Sequence, residues 1–141
     1  MGRAALDRIL EAHAEARGRE PCGLLLGTRD RGGRRLSVAE AVTVENVHPS
    51  PGAGWRMAPE AQLEASRDGR GRGLEIVGTW HGHLASPPIP GRADAEGYRE
   101  ARIPGTPPRV LVIVGKGSGP FPLVRAWQGA KGALRELPIK T

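Results

Sequence analysis

The stretch of sequence that decides the fold is residues 74–83, Leu-Glu-Ile-Val-Gly-Thr-Trp-His-Gly-His. Residues 74–80 are mostly apolar and are a candidate for a buried strand, which leads directly into His81-Gly82-His83. In an extended chain, residues i and i+2 point to the same face about 6.6 Å apart, so both imidazoles can turn toward one metal ion. The stretch therefore predicts a strand that ends in a pair of metal ligands.

A third ligand is available eleven residues after His83, at Asp94. The intervening proline-rich stretch 87–90 suits neither a helix nor a central strand, so we expect a loop that leads into a helix from about Arg92. Two His, one Asp and a water form the open coordination pattern of a catalytic zinc site, although Fe²⁺ also occupies two-His, one-carboxylate sites. Glu20, at the mouth of another predicted strand, is placed to act as a general base toward a metal-activated water.

The rest of the chain alternates between helix and strand patterns. Helices are predicted at 3–16, 59–67 and 92–101, and strands at 22–28, 36–46, 74–80, 109–114, 123–127 and 133–137. Turns or loops are predicted at 30–33, 48–54, 87–90 and 115–119, the last because it lacks the spacing of a Walker A phosphate loop. The pattern predicts an α/β fold, a mixed sheet flanked by helices, in a single domain spanning residues 1–141.

The amino-acid composition excludes some classes of protein and disfavours others. One cysteine in 141 residues excludes a disulfide scaffold and a thiolate-rich structural zinc site. The net charge is +6, but the basic residues are scattered and aromatic residues make up 4%, which disfavours a nucleic-acid-binding surface and leaves it as a rival hypothesis. The sequence has no candidate signal peptide or membrane span, which favours the cytoplasm.

The spacing of these residues resembles that of the JAMM metallopeptidases, also called the MPN+ or JAB1/Mov34 family. Their signature is a glutamate, then His-x-His, seven residues, Ser, two residues and Asp, and it matches Glu20, His81, His83 and Asp94. The similarity extends over residues 20–27, Asn46, 55–63 and 124–127. The chain departs from the pattern at Gly91, which stands at the serine position, and at Leu84, where many bacterial members have proline.

The resemblance implies a JAB/MPN architecture, similar to that of the cytidine deaminases, and one Zn²⁺ per chain held by His81, His83 and Asp94. It implies that Glu20 is the general acid/base in peptide or isopeptide hydrolysis after the C-terminal Gly-Gly of a small ubiquitin-like protein. For a compact, prokaryotic-looking chain, sulfur-carrier proteins are the expected partners, and a homodimer stays open.

The serine of the family is thought to hydrogen-bond the oxyanion, so Gly91 leaves two hypotheses open. In the first, the protein is a peptidase with weakened catalysis, in which Ser86 or a backbone N–H supplies the donor. In the second, it is a non-catalytic binding or scaffold module.

Plain structural roles are also open for the candidate residues. The two histidines can be polar residues at a strand end, Asp94 a first-turn carboxylate favoured by the helix dipole, and Glu20 a surface charge. Trp55, in a Gly-rich loop, lines a substrate groove or packs in the core. We expect a small buried hydrophobe at Cys22, helix packing for His13, solvent exposure for His48, and core positions for Trp80 and Trp127.

Overall fold

The computed structural model describes residues 1–32, 35–100, 108–130 and 133–141. In these residues the helices are α1 (Arg3–Ala14), α2 (Pro59–Arg70) and α3 (Arg92–Glu100). The strands are β1 (Cys22–Arg29), β2 (Leu36–Val44), β3 (Glu75–Gly82), β4 (Val110–Gly115), β5 (Leu123–Ala130) and β6 (Ala133–Leu137). None of the helices in the described ranges is long and apolar enough to cross a membrane.

The strands of the described residues form one six-stranded sheet in the order β2-β1-β3-β4-β5-β6. β3 and β4 run parallel, whereas the other neighbouring pairs are antiparallel. The parallel pair requires a crossover, and the crossover contains α3. The sheet is therefore mixed, as the alternation of helix and strand patterns predicts.

Two apolar clusters cover the two faces of the sheet. Leu25 packs with Trp80 and with Ile9 of α1, whereas the adjacent Leu24 packs with Ala65 of α2. Successive side chains of a strand point to opposite faces, so α1 and α2 lie on opposite sides of β1. The buried run 22–27 of β1 thus lies between two layers, which explains why it is apolar at every position.

The ends of several elements differ from the sequence predictions. α1 ends at Ala14 and β2 at Val44, each two residues early, while α2 and β5 each continue three residues further than predicted. Apolar periodicity marks the buried face of an element, but hydrogen bonds of the backbone decide its ends. The predicted end of the third helix at residue 101 and one residue of the predicted turn, 33, lie outside the described residues.

Candidate active site

Pairing of β1 with β3 places Glu20 beside the two histidines. Cys22 is opposite His81 in the antiparallel register, and the Gly82 N–H donates to the Pro21 carbonyl at 2.9 Å. The segment before β1 therefore runs along the end of β3, and Glu20 is buried, at 8% exposure. The Glu20 N–H donates to the Pro51 carbonyl at 2.6 Å, which fixes the backbone on its other side.

Asp94 reaches the histidines from the first turn of α3. Its Oδ1 lies 3.1 Å from His81 Nε2, and its Oδ2 lies 3.1 Å from His83 Nε2. The same Oδ2 accepts the backbone N–H of Gly91 at 2.9 Å, which is half of a capping box at the start of α3. The loop and helix thus aim this carboxylate at both imidazoles, as the sequence spacing predicts.

Each imidazole is held by a neighbour. His83 Nδ1 lies 2.8 Å from the Pro87 carbonyl, and since a carbonyl only accepts, Nδ1 carries the proton and the Nε2 of the neutral ring carries a lone pair. The His81 ring is fully buried and stacks on Trp55, with 5.0 Å between ring centroids and 22° between ring planes. His81 Nδ1 is buried and has no hydrogen-bond partner among the described residues.

The electrostatics of the cluster follow from burial and from the Asp94 carboxylate. Burial lowers the pKa of His81, whereas the hydrogen bond with Asp94 raises the pKa of His83. Burial alone would raise the pKa of Asp94, but hydrogen bonds with His81 and His83 outweigh it and hold that pKa well below its usual range. Burial raises the pKa of Glu20, and the nearby charge of His83 offsets part of this rise. A glutamate tuned in this direction is suited to exchange protons closer to neutral pH.

The donor set and its spacing fit a tetrahedral metal ion. The two Nε2 atoms are 3.3 Å apart, and each is 3.1 Å from an Asp94 oxygen. Ligand atoms on a tetrahedral ion with bonds of about 2.0–2.1 Å are about 3.3 Å apart, close to these separations. In the part of the chain that the structure describes, Glu20 also offers an oxygen within 4.8 Å of the histidine ligand atoms. The four side chains therefore form one group of nitrogen and oxygen donors.

A cavity of about 1260 Å³ opens beside this group. Glu20, His83, Asp94, Trp55 and Gly91 all line it. The sequence left two roles open for Trp55, core packing and lining of a groove. Trp55 has both, because it packs near Cys22 and Leu24 and also lines the cavity. The space is open enough for an extended peptide to reach the cluster.

The residues considered for the oxyanion position lie in different settings. Gly91 is at the start of α3, and a Cβ built there meets only Asp94 Oδ2, at 3.8 Å. Ser86 is exposed in the loop after β3, where its carbonyl accepts the Lys116 N–H at 2.8 Å. No hydrogen bond joins the Ser86 hydroxyl to the described residues of the cluster.

Asn46 is a buried residue whose structural role the sequence patterns do not reveal. Its side-chain amide donates to the carbonyls of Glu20 at 3.0 Å and Gly54 at 2.9 Å, and its Oδ1 accepts the N–H groups of His48 and Arg56. It therefore ties the backbone of Glu20 to the loop that carries Trp55. The sequence marks Asn46 only as the end of the predicted strand 36–46 and as part of the family resemblance, and neither signal shows which groups it binds.

The prediction for His48 is wrong. His48 is half-buried, its Nδ1 accepts the Ser50 N–H at 2.9 Å, and it lines the cavity, because the loop folds back on itself around Asn46.

The core positions expected for Cys22 and Trp80 are confirmed, since both are fully buried. Trp127 is only half-buried and lies outside the buried core of the described residues, where its indole N–H donates to the Pro88 carbonyl at 3.1 Å. Burial raises the pKa of the Cys22 thiol to about 11, with a smaller contribution from Glu20. His13 is half-buried within α1, next to the backbone of Gly82.

A mixed sheet with this cluster at the end of β3 defines a JAB/MPN-type domain. The chain belongs to the family described as prokaryotic homologs of the JAB domain, whose model matches residues 2–128. It is 36% identical to a desampylase from Pyrococcus furiosus over 80 residues, which are 57% of this chain and 52% of that protein. The chain thus matches about half the length of this curated relative.

Solved structures agree with this assignment of the fold. A solution structure of a protein from Desulfitobacterium hafniense has a TM-score of 0.77 at 27% identity, covering 96% of this chain and 86% of that one. A solution structure of a protein from Salinibacter ruber has a TM-score of 0.66 at 26% identity, covering 95% and 85%. The family and architecture that the sequence resemblance implies are therefore confirmed.

Proposed function

We propose that the protein is a zinc-dependent peptidase or isopeptidase that cleaves after the C-terminal Gly-Gly of a small ubiquitin-like or sulfur-carrier protein. The observation that carries the proposal is the convergence of Glu20 with His81, His83 and Asp94 beside an open cavity. The family match and the desampylase relative support it, since the name of that relative denotes removal of a small protein modifier.

His81, His83 and Asp94 would hold the ion. The carbonyl of Pro87 fixes the His83 tautomer so that Nε2 faces the site, and Trp55 covers the His81 ring. Zinc bound there supplies a Lewis acid and lowers the pKa of its water to about 7. Asp94 would supply a carboxylate oxygen that is already ionised at neutral pH, since in the metal-free protein hydrogen bonds with the two histidines outweigh burial and hold its pKa well below its usual range.

Glu20 would move the proton. Its carboxylate is buried at the same cluster, so it can accept a proton from the attacking water and donate it to the leaving amine. The backbone of Glu20 is held by Pro51 and by Asn46, which fixes the point at which its side chain leaves the main chain. Burial raises the pKa of Glu20, which brings it closer to the pKa of a zinc-bound water.

The cavity suits an extended tail that ends in two glycines. Glycine lacks a Cβ, so its backbone can approach a recessed cluster closely from either side. The net charge of +6 favours association with an acidic carrier protein. The tail would then lie with its last carbonyl at the cluster and the leaving amine beyond it.

The test is cleavage of a linear fusion, in which a sulfur-carrier protein ending in Gly-Gly precedes a reporter peptide. An isopeptide conjugate of the same carrier to a lysine peptide runs in parallel. We expect cleavage after Gly-Gly, loss with a chelator, recovery with Zn²⁺ and no cleavage by Glu20→Gln. A fusion ending in Ala-Ala is the matched substrate control. Equal cleavage of both fusions, or full activity of Glu20→Gln, contradicts the proposal.

Gly91 favours one second candidate, a non-catalytic module that binds the modifier. The described residues around Gly91 offer a backbone N–H already occupied by Asp94 rather than a side-chain hydroxyl. Stoichiometric zinc and tight binding of the carrier, with no cleavage of fusion or conjugate, would support this candidate over the enzyme.

A further inference from the structure

Helix α3 carries Asp94, yet it has almost no apolar surface with which to pack. Its sequence is Arg-Ala-Asp-Ala-Glu-Gly-Tyr-Arg-Glu, and none of its residues is fully buried. A helix of nine residues without a buried apolar stripe gains little from packing and is marginal by itself. Polar contacts must therefore hold α3 against the sheet.

Those contacts come from two residues on one face of α3. Asp94 and Tyr98 are four residues apart, so their side chains lie one above the other on the helix. Asp94 contacts His81 and His83 at the end of β3, as described above. One turn further along, Tyr98 contacts Arg109, which directly precedes β4, and Gly129 of β5. The placement of Asp94 is thus coupled to the contacts of Tyr98.

The Tyr98 hydroxyl lies between the backbones of two strands. It donates to the Arg109 carbonyl at 2.6 Å and accepts the Gly129 N–H at 2.9 Å. The last residue pair between β4 and β5 is Val110 with Gln128, so the hydroxyl bridges the next pair of residues in this register. Both hydrogen-bonding functions of the hydroxyl are therefore used at one fixed point of the sheet.

The Tyr98 ring packs against the backbone of Gly129. A Cβ built on Gly129 would lie 2.7 Å from Tyr98 Cε1, closer than carbon atoms approach in proteins. The tyrosine ring thus rests directly on the strand backbone, and a side chain at this position would push it away. Tyr98 is the only tyrosine of the chain, so its ring and hydroxyl can be followed without interference.

We propose that Tyr98 is a positioning residue, which docks α3 onto β4 and β5 and thereby places the Asp94 carboxylate against His81 and His83. The inference rests on the metal centre of the proposed function, in which Asp94 is a ligand. In this role Tyr98 acts on Asp94 and not on the substrate. Its effect on the metal passes through the position of α3.

The test compares wild-type protein with Tyr98→Phe, which removes only the hydroxyl. We expect zinc affinity, measured by competition with a chelator, to fall about tenfold, since both hydrogen bonds of the hydroxyl are lost and water replaces them only in part. We also expect weaker visible absorption of the Co²⁺-substituted variant, because its coordination is less regular. Backbone amides of α3 should exchange faster in the metal-free variant, while those of β1 and β3 do not change.

Two further variants separate positioning from general destabilisation. Glu96→Gln breaks the exposed Arg92–Glu96 ion pair on the same helix, and we expect unchanged zinc affinity. Gly129→Ala places a methyl group against the Tyr98 ring from the side of β5, and we expect it to lower zinc affinity as Tyr98→Phe does. This variant tests the same contact if Tyr98→Phe does not fold.

The outcomes separate this inference from the proposed function. Wild-type zinc affinity in Tyr98→Phe together with unchanged exchange of α3 overturns the role of Tyr98 and leaves the enzyme proposal standing. A wild-type protein that takes up no zinc overturns the proposed function, and amide exchange in α3 of the metal-free variants then decides whether Tyr98 docks the helix.

Discussion

Replacing Gly91 by serine restores the residue that the JAMM signature carries at this position, and the structure shows that it fits. The added Cβ meets only Asp94 Oδ2, at 3.8 Å, which is ordinary van der Waals contact. Gly91 already donates its N–H to Asp94 Oδ2 at the start of α3. A serine hydroxyl can accept the Asp94 N–H in return, completing the capping box, and its own hydrogen then stays free to donate toward the cavity.

The expected gain is large enough to measure. One added oxyanion donor is worth about 10²–10³ in kcat, whereas the completed cap adds only a few tenths of a kcal/mol to stability. We therefore expect Gly91→Ser to cleave the carrier fusion at least tenfold faster than wild type, at similar KM and a slightly higher Tm. The assay is a single-turnover time course with zinc-loaded proteins, which avoids a limit set by product release.

Gly91→Ala is the matched control, because it adds the Cβ without the hydroxyl. We expect no acceleration from alanine and a small loss of stability at the cap. If serine and alanine give the same rate, or if serine gives the wild-type rate, the donor is already supplied elsewhere and the reasoning about Gly91 is refuted.

Three further predictions follow from buried groups. Glu20→Gln should make the metal-free protein more stable than wild type at pH 7. Burial raises the pKa of Glu20 above its ordinary 4.5, so wild type loses stability as the pH rises through that raised value, and urea unfolding should show the difference disappear below about pH 4.5. A difference that grows toward acid pH would contradict this sign. Asn46→Asp should lower the free energy of unfolding by about 3 kcal/mol, because a carboxylate replaces an amide that donates to two carbonyls, whereas exposed Glu45→Gln should change it by less than about 0.5 kcal/mol. Equal urea midpoints for both variants would show that the amide contacts contribute nothing. The thiol of Cys22, fully buried and with a pKa of about 11, should react with an aromatic disulfide reagent only as the protein unfolds, and rapid labelling of native protein would refute its burial.

Much of the site was predictable because its geometry is local. His81 lies in β3 and His83 follows its last residue by one position, so alternation along the extended chain turns both side chains the same way. The proline-rich loop leaves the chain free to return as a helix that carries Asp94. The apolar run of β1 likewise predicts a strand covered on both faces. These features depend on a few consecutive residues, so sequence patterns report them.

The residues that support the site were not predictable in the same way. Asn46 acts through Glu20 and Gly54, which are 26 and 8 residues away, and Tyr98 acts through Gly129, 31 residues away. Such pairs form only after the sheet register is set, and no periodicity encodes them. The half-buried position of His48 has the same origin, since it depends on a loop that closes around Asn46.

We propose a division of roles in the cluster, in which Asp94 binds the metal with His81 and His83, and Glu20 transfers protons. Glu20 nevertheless lies close enough to both histidines to be a ligand itself. The most direct measurement is the zinc content of purified Glu20→Gln and Asp94→Asn beside wild type. We predict one zinc per chain in wild type and in Glu20→Gln, and loss of zinc in Asp94→Asn. Zinc retained by Asp94→Asn but lost from Glu20→Gln would contradict the account.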